Sequence, residues 1–163
     1  MPRTAPAPRE SDPRRGLRVA IPQRALVVSL PFSARLRAEK VGAAVAAGLR
    51  AGGRPDPDVL ALGDDLKDAG VAAALALAGF DDRLRPARAL ILAAARLERD
   101  RLRGTLELEV LTRARQTGVP AYAICRELGL NAFDARLLDL QVVLEARTER
   151  GLSAAARRLA PLL

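Results

Sequence analysis

Histidine and tryptophan are absent from the 163-residue chain, and aromatic residues make up only 2% of it. The lack of histidine excludes Ser-His and Cys-His nucleophilic pairs and histidine-bound zinc. The lack of aromatics means a core built from Ala, Leu and Val. One cysteine, Cys125, excludes an internal disulfide framework and a multi-cysteine metal site, and suits a reducing cytoplasm. Neither G-x-G-x-x-G nor G-x-x-x-x-G-K-[ST] occurs, so the two commonest phosphate cradles are missing. No window approaches the ~18 uninterrupted apolar residues of a membrane span, and no apolar stretch of signal-peptide type precedes position 25. The expectation is a cytoplasmic chain without membrane association.

What is present is a half-hydrophobic, strongly basic sequence: 50% apolar residues and a formal charge of +8. Lys40 and Lys67 are the only lysines, so the basic charge is arginine. Half of the net charge lies in residues 1–24, where six arginines oppose Glu10 and Asp12 for a local +4. With Pro2, Pro6, Pro8 and Pro13, this stretch reads as a flexible Arg/Pro-rich arm. A basic nucleic-acid accessory acting through the arm is one reading. Nucleic-acid binding would normally add a dense Lys/Arg stripe or stacking aromatics, and neither is visible beyond the arm. The Arg, Ala, Gly and Pro richness reads more simply as the codon bias of a GC-rich bacterial genome.

From residue 25 onward, short apolar runs at 25–30, 58–62, 88–93, 119–125 and 140–144 alternate with helical patterns. In 36–50, Val41, Ala44, Val45 and Leu49 fall on one helical face, and Gly52, Gly53, Pro55 and Pro57 end it. A second helix, from Asp64-Asp65 through Ala78, is almost entirely alanine and leucine and is expected to be deeply packed. Residues 80–87 read as a charged turn and 96–103 as a loop or exposed turn. A helix at 106–116, a short one capped by the Asn131/Asp134 pair and a closing one at 152–162 complete the pattern. This alternation predicts an α/β fold: a single three-layer Rossmann-like domain over 25–163, with a mostly parallel five-stranded sheet and helices on both faces. In such sheets ligands bind beyond the carboxyl ends of the strands.

Those ends carry few chemical groups. Asp64, Asp65 and Asp68 could hold Mg²⁺ through water, although acids at a helix start also simply complement its dipole. Arg96, Glu98, Arg99, Asp100, Arg101 and Arg103 could bind phosphate or carboxylate, although alternating signs more often describe a self-paired surface. Arg126 could lower the pKa of Cys125, although a lone cysteine beside Ile124 is more often a buried thiol.

The stretch Phe32-Ser33-Ala34-Arg35-Leu36-Arg37-Ala38-Glu39-Lys40-Val41, running on to Ala47-Gly48-Leu49, resembles F-K-x-S-L-x-A-x-E-V followed by A-I-x-x-G-L. Those patterns open the bacterial glycerate kinases whose Rossmann-like domain is interrupted by a large inserted domain. Val59-Leu60-Ala61-Leu62-Gly63-Asp64-Asp65, continuing to Gly70, falls at that family's A-D-G-G-E-G-T loop, with Asp65 kept and Asp68 standing for the glutamate. Ala89 to Glu98 lies on L-V-I-T-G-E-G-R-x-D, keeping Arg96 and replacing the aspartate by Glu98. Arg103-Gly104-Thr105 lies on G-G-K, and 118–124 is similar to x-V-P-V-x-x-I. The inserted domain has no counterpart between Phe80 and Arg88.

The resemblance implies ATP-dependent phosphoryl transfer to glycerate with Mg²⁺, using Asp65, Asp68, Arg96 and Glu98, with Arg96 and Gly104 at the nucleotide. It also implies losses: Ala93, Ala94 and Ala95 stand where the glycine-rich loop was, Thr105 where a lysine was, and Ser33 where the early lysine was. The expectation is a shrunken pseudoenzyme of glycerate kinase type, a binding or regulatory module for a protein partner or a small anionic ligand. The alternative is a minimal kinase assembled across a dimer. A homodimer is also expected from the apolar face that a missing inserted domain would leave uncovered.

Overall fold

The computed structural model describes residues 24–63 and 70–163; the expected arm, apart from Arg24, and the start of the second expected helix, with Asp64, Asp65 and Asp68, lie outside the described residues. The apolar runs form strands β1 (Ala25–Ser29), β2 (Asp58–Ala61), β3 (Ala89–Glu98), β4 (Ala121–Gly129) and β5 (Leu140–Glu145). Between and after them lie helices α1 (Ala38–Ala51), α2 (Val71–Leu77), α3 (Phe80–Leu84), α4 (Leu106–Thr117), α5 (Ala132–Leu137) and α6 (Glu149–Leu159). Single 3₁₀ turns occupy Arg99–Arg101 and Ala160–Leu162. The strands pair in the order β2-β1-β3-β4-β5, every neighbouring pair parallel. This is a Rossmann-like α/β domain with the flavodoxin-like strand order, in which the chain reverses its direction of travel between β1 and β3.

Strands buried on both faces need near-continuous apolar sequence, and β1 and β3 supply it. Alternate residues feed two cores. Val27, Ile91 and Ile124 meet α1 and α6 on one face, while Leu26, Val28, Leu90 and Leu92 share the other with Leu75, Phe80, Leu84 and Leu111. On the first face, α1 and α6 approach closely because α1 carries Gly48 where they meet, and Gly52, just past its end, lets Ala160 come equally close. A Cβ on Gly48 would overlap the Ser153 carbonyl oxygen and sit 2.7 Å from Ala156 Cβ.

At the end of β1, Ser29 is fully buried and its hydroxyl has no hydrogen-bond partner among the described residues. It faces α1 at Gly42, where an added Cβ would lie 2.7 Å from the hydroxyl oxygen. An orphaned buried hydroxyl is a net cost. Ser29→Ala is therefore expected to stabilise the protein by about 1 kcal/mol and raise the thermal midpoint by roughly 2–4 °C. A lower midpoint would mean that the hydroxyl has a partner in solution.

Three local expectations need correction. The alanine-leucine helix is not deeply packed: in α2 only Ala74 and Leu75 are buried, and Leu77 is 75% exposed. A seven-residue helix set against α3 and α4 buries one stripe, whatever its composition. The charged turn at 80–87 contains α3, because Phe80 and Leu84, one helical turn apart, both anchor in the core. The loop expected at 96–103 begins later than that, since β3 runs to Glu98 and pairs with β4 through Arg96–Glu127 and Glu98–Gly129. One smaller expectation holds: Asn131 caps α5 by accepting from the Asp134 backbone N–H at 2.9 Å. The closing helix, expected at 152–162, instead spans Glu149–Leu159, because Thr148 caps it through the Gly151 N–H at 3.0 Å. No helix among the described residues is long and apolar enough to cross a membrane.

Candidate functional site

The reversal between β1 and β3 puts a crevice at the carboxyl edge of the sheet, and clefts open along that edge. After β1, the Leu30 N–H donates to the Ala93 carbonyl at 2.9 Å, which ties the chain to β3 before it turns away. The turn closes on itself: Phe32 N–H donates to the Leu36 carbonyl at 2.9 Å, and Leu36 N–H to Ser33 Oγ at 3.1 Å. A cleft of about 410 Å³ lies beside it, lined by Pro31, Phe32, Ser33, Arg37, Glu39 and Gly63 among others. Arg126 reaches this turn from β4, two strands away, donating from Nη1 to the Phe32 carbonyl at 2.7 Å and from Nη2 to Glu127 at 3.3 Å.

The charged groups at the end of β3 are tied to one another. Arg96 donates to Glu127 and lies 3.8 Å from Glu98, and Glu98 also receives Arg101 at 3.1 Å. The hydrogen bond from Arg96 is the main reason why the Glu127 carboxyl is held below its ordinary range, with the nearby positive charges of Arg96 and Arg126 adding to it. Arg99 pairs at 2.7 Å with Asp134, which is 5% exposed. The structure thus brings Arg96 and Glu98 together as expected, but as members of a self-paired cluster. Gly104 takes φ 75° at the turn into α4, a conformation that suits glycine. Thr105, where the resemblance would have a lysine, is the helix cap: its Oγ1 accepts from Leu108 N–H at 3.3 Å and donates to the Leu102 carbonyl at 2.8 Å.

The second cleft lies between this turn and α5. It has about 200 Å³, and its walls are Leu102, Leu108, Leu130, Leu137 and Leu138, with Arg99, Arg103 and Asp134 at its polar side. Sequence reasoning missed it, because its leucines come from four separate segments. Arg126 was read only as a neighbour of Cys125. Cys125 itself is buried, and burial, followed by the charge of Glu145, pushes its thiol up from 9.0 to about 12. The lowering that Arg126 could have brought is absent, and the buried-thiol reading, the favoured one, holds. Among the described residues no group of three or more His, Cys, Asp or Glu could hold a metal ion.

No family model matches this chain. No curated protein matches it either. Several solved chains resemble it distantly, two of which illustrate the range. One is a protein assigned as glycerate kinase 2 from Salmonella typhimurium LT2, with a TM-score of 0.42 and 16% identity over 55% of this chain and 25% of that one. The match thus spans about a quarter of that kinase. The other is an oxidoreductase from Corynebacterium diphtheriae, with a TM-score of 0.48 and 15% identity over 86% of this chain and 97% of that one. Similarity at this level does not establish membership of the glycerate kinase family, and it does not carry either protein's activity to this chain.

Proposed function

We propose that this chain is a non-catalytic domain of glycerate kinase type that binds a small anionic ligand at the carboxyl edge of its sheet. The supporting observation is the pairing of Arg96, Glu98, Arg101 and Glu127 within one surface cluster, and of Arg99 with Asp134. Phosphoryl transfer needs cations aimed at the developing charge on the phosphoryl oxygens. A guanidinium already shared between two carboxylates is compensated and points at neither a substrate nor a nucleotide. Thr105 as a helix cap and Gly104 as a turn residue give structural reasons for positions that the family resemblance associates with the nucleotide. The outward Ala72, Ala73, Ala76 and Leu77 of α2 support the further proposal that copies of the domain associate through this face.

Calorimetry of the protein with Mg·ATP, alone and with glycerate, tests the reading. The expected result is no saturable heat in either titration. Saturable binding of Mg·ATP would overturn it in favour of a minimal kinase.

A further inference from the structure

We infer that the leucine-walled cleft between the β3–α4 turn and α5 is the site of that ligand, and that the ligand is a short aliphatic carboxylate anchored by Arg103. The inference rests on the binding-module reading and adds the place and the chemical class. Five leucines line the cleft, and polar atoms form the smaller part of its wall. Its size of about 200 Å³ corresponds to roughly seven water-sized groups at ~30 Å³ each, so the ligand is small.

Charge selects the sign. Of the three ionised groups at the cleft, Arg99 and Asp134 neutralise each other at 2.7 Å. Arg103 makes no ion pair and donates no side-chain hydrogen bond among the described residues. The cleft therefore carries one uncompensated positive charge beside an apolar pocket, the arrangement that holds a carboxylate head through a charge-assisted hydrogen bond and buries its alkyl tail. The same walls disfavour glycerate, whose hydroxyl groups would lose water without gaining partners among leucines. The Arg99–Asp134 pair fixes the 3₁₀ turn after β3 to α5, so the two walls are held in place before a ligand enters.

The test is calorimetric titration of the full chain with hexanoate, with hexylammonium and glycerate as controls, on the native protein and on Arg103→Ala and Arg103→Lys. Saturable binding of hexanoate alone is expected, about ten-fold weaker in Arg103→Ala, as loss of one rim hydrogen bond to a charged group predicts, and largely retained in Arg103→Lys. Arg103 is exposed, so neither variant disturbs the core. Three results would overturn the inference: no saturation by hexanoate up to roughly 10 mM, equal binding by hexylammonium, or an unchanged affinity in Arg103→Ala. If neither hexanoate nor Mg·ATP binds, the cleft assignment fails and the non-catalytic reading stands. If Mg·ATP binds, that reading fails whatever hexanoate does.

Discussion

Gly48→Ala is expected to destabilise the protein by about 3 kcal/mol, the upper end of overpacking costs. The sign is the informative part. In an exposed helix interior the same change gains up to about 1 kcal/mol, because alanine is the better helix former. Here the new methyl group would overlap the Ser153 backbone carbonyl and lie 2.7 Å from Ala156, and neither is the free end of a flexible side chain. Helices α1 and α6 would have to separate, loosening Val45, Leu49, Leu152 and Leu159, which are fully buried on that face. Thermal and urea unfolding followed by circular dichroism would read the change, expected as a midpoint fall of roughly 6–12 °C. Gly53→Ala serves as the comparison: its φ is 81° and nothing lies within 4 Å of its added Cβ. It should cost only the 1–2 kcal/mol of a left-handed alanine. Equal losses in the two variants would refute the close α1–α6 approach.

Cys125 should be almost inert in the folded protein. With its pKa pushed up from 9.0 to about 12 by burial and by Glu145, the thiolate fraction at neutral pH falls about a thousand-fold, and thiolate is the reactive form. Alkylation by iodoacetamide should proceed at least that much more slowly in native protein than in urea. Comparable rates would mean that β4 opens readily or that the thiol is exposed. The same shift makes stability depend on pH at the alkaline end. A raised pKa in the folded state favours the neutral thiol, so this contribution is fully present below pH 9. It is lost as pH rises towards 12, at up to about 1.4 kcal/mol per unit.

The fold was legible where it was written in contiguous apolar sequence. Leu26 to Ser29, Ala89 to Ala93 and Ala121 to Cys125 are buried, and runs of that kind between helical patterns have few other solutions. The Asn131 cap was legible because it acts over three residues. What escaped depends on partners far along the chain. Arg96 and Glu98 look like loop residues until Glu127 and Gly129 are placed beside them. Phe80 and Leu84 are too few to announce a helix within a charged segment. The packing of α2 escaped because composition states how apolar a helix is, whereas its place beside α3 and α4 decides how much of it is covered. At the site, the alternating signs after β3 foretold the pairing of Arg96 and Arg101 with Glu98, but not that Arg103 would make no ion pair among the described residues. The contact of Arg126 with Phe32, 94 residues away, and the assembly of five leucines around one cleft had no local signature.

Scarcity of aromatics leaves the molecule with a built-in reporter. Tyr122 is the only tyrosine, and there is no tryptophan. Its ring lies in the core beneath α1 and α6, and its hydroxyl donates to the Leu162 carbonyl at 3.1 Å, in the 3₁₀ turn Ala160–Leu162. The tyrosine absorption and emission of the whole protein therefore come from one side chain at one junction. Any spectral change in that band is a local reading of whether the final turn is docked on β4.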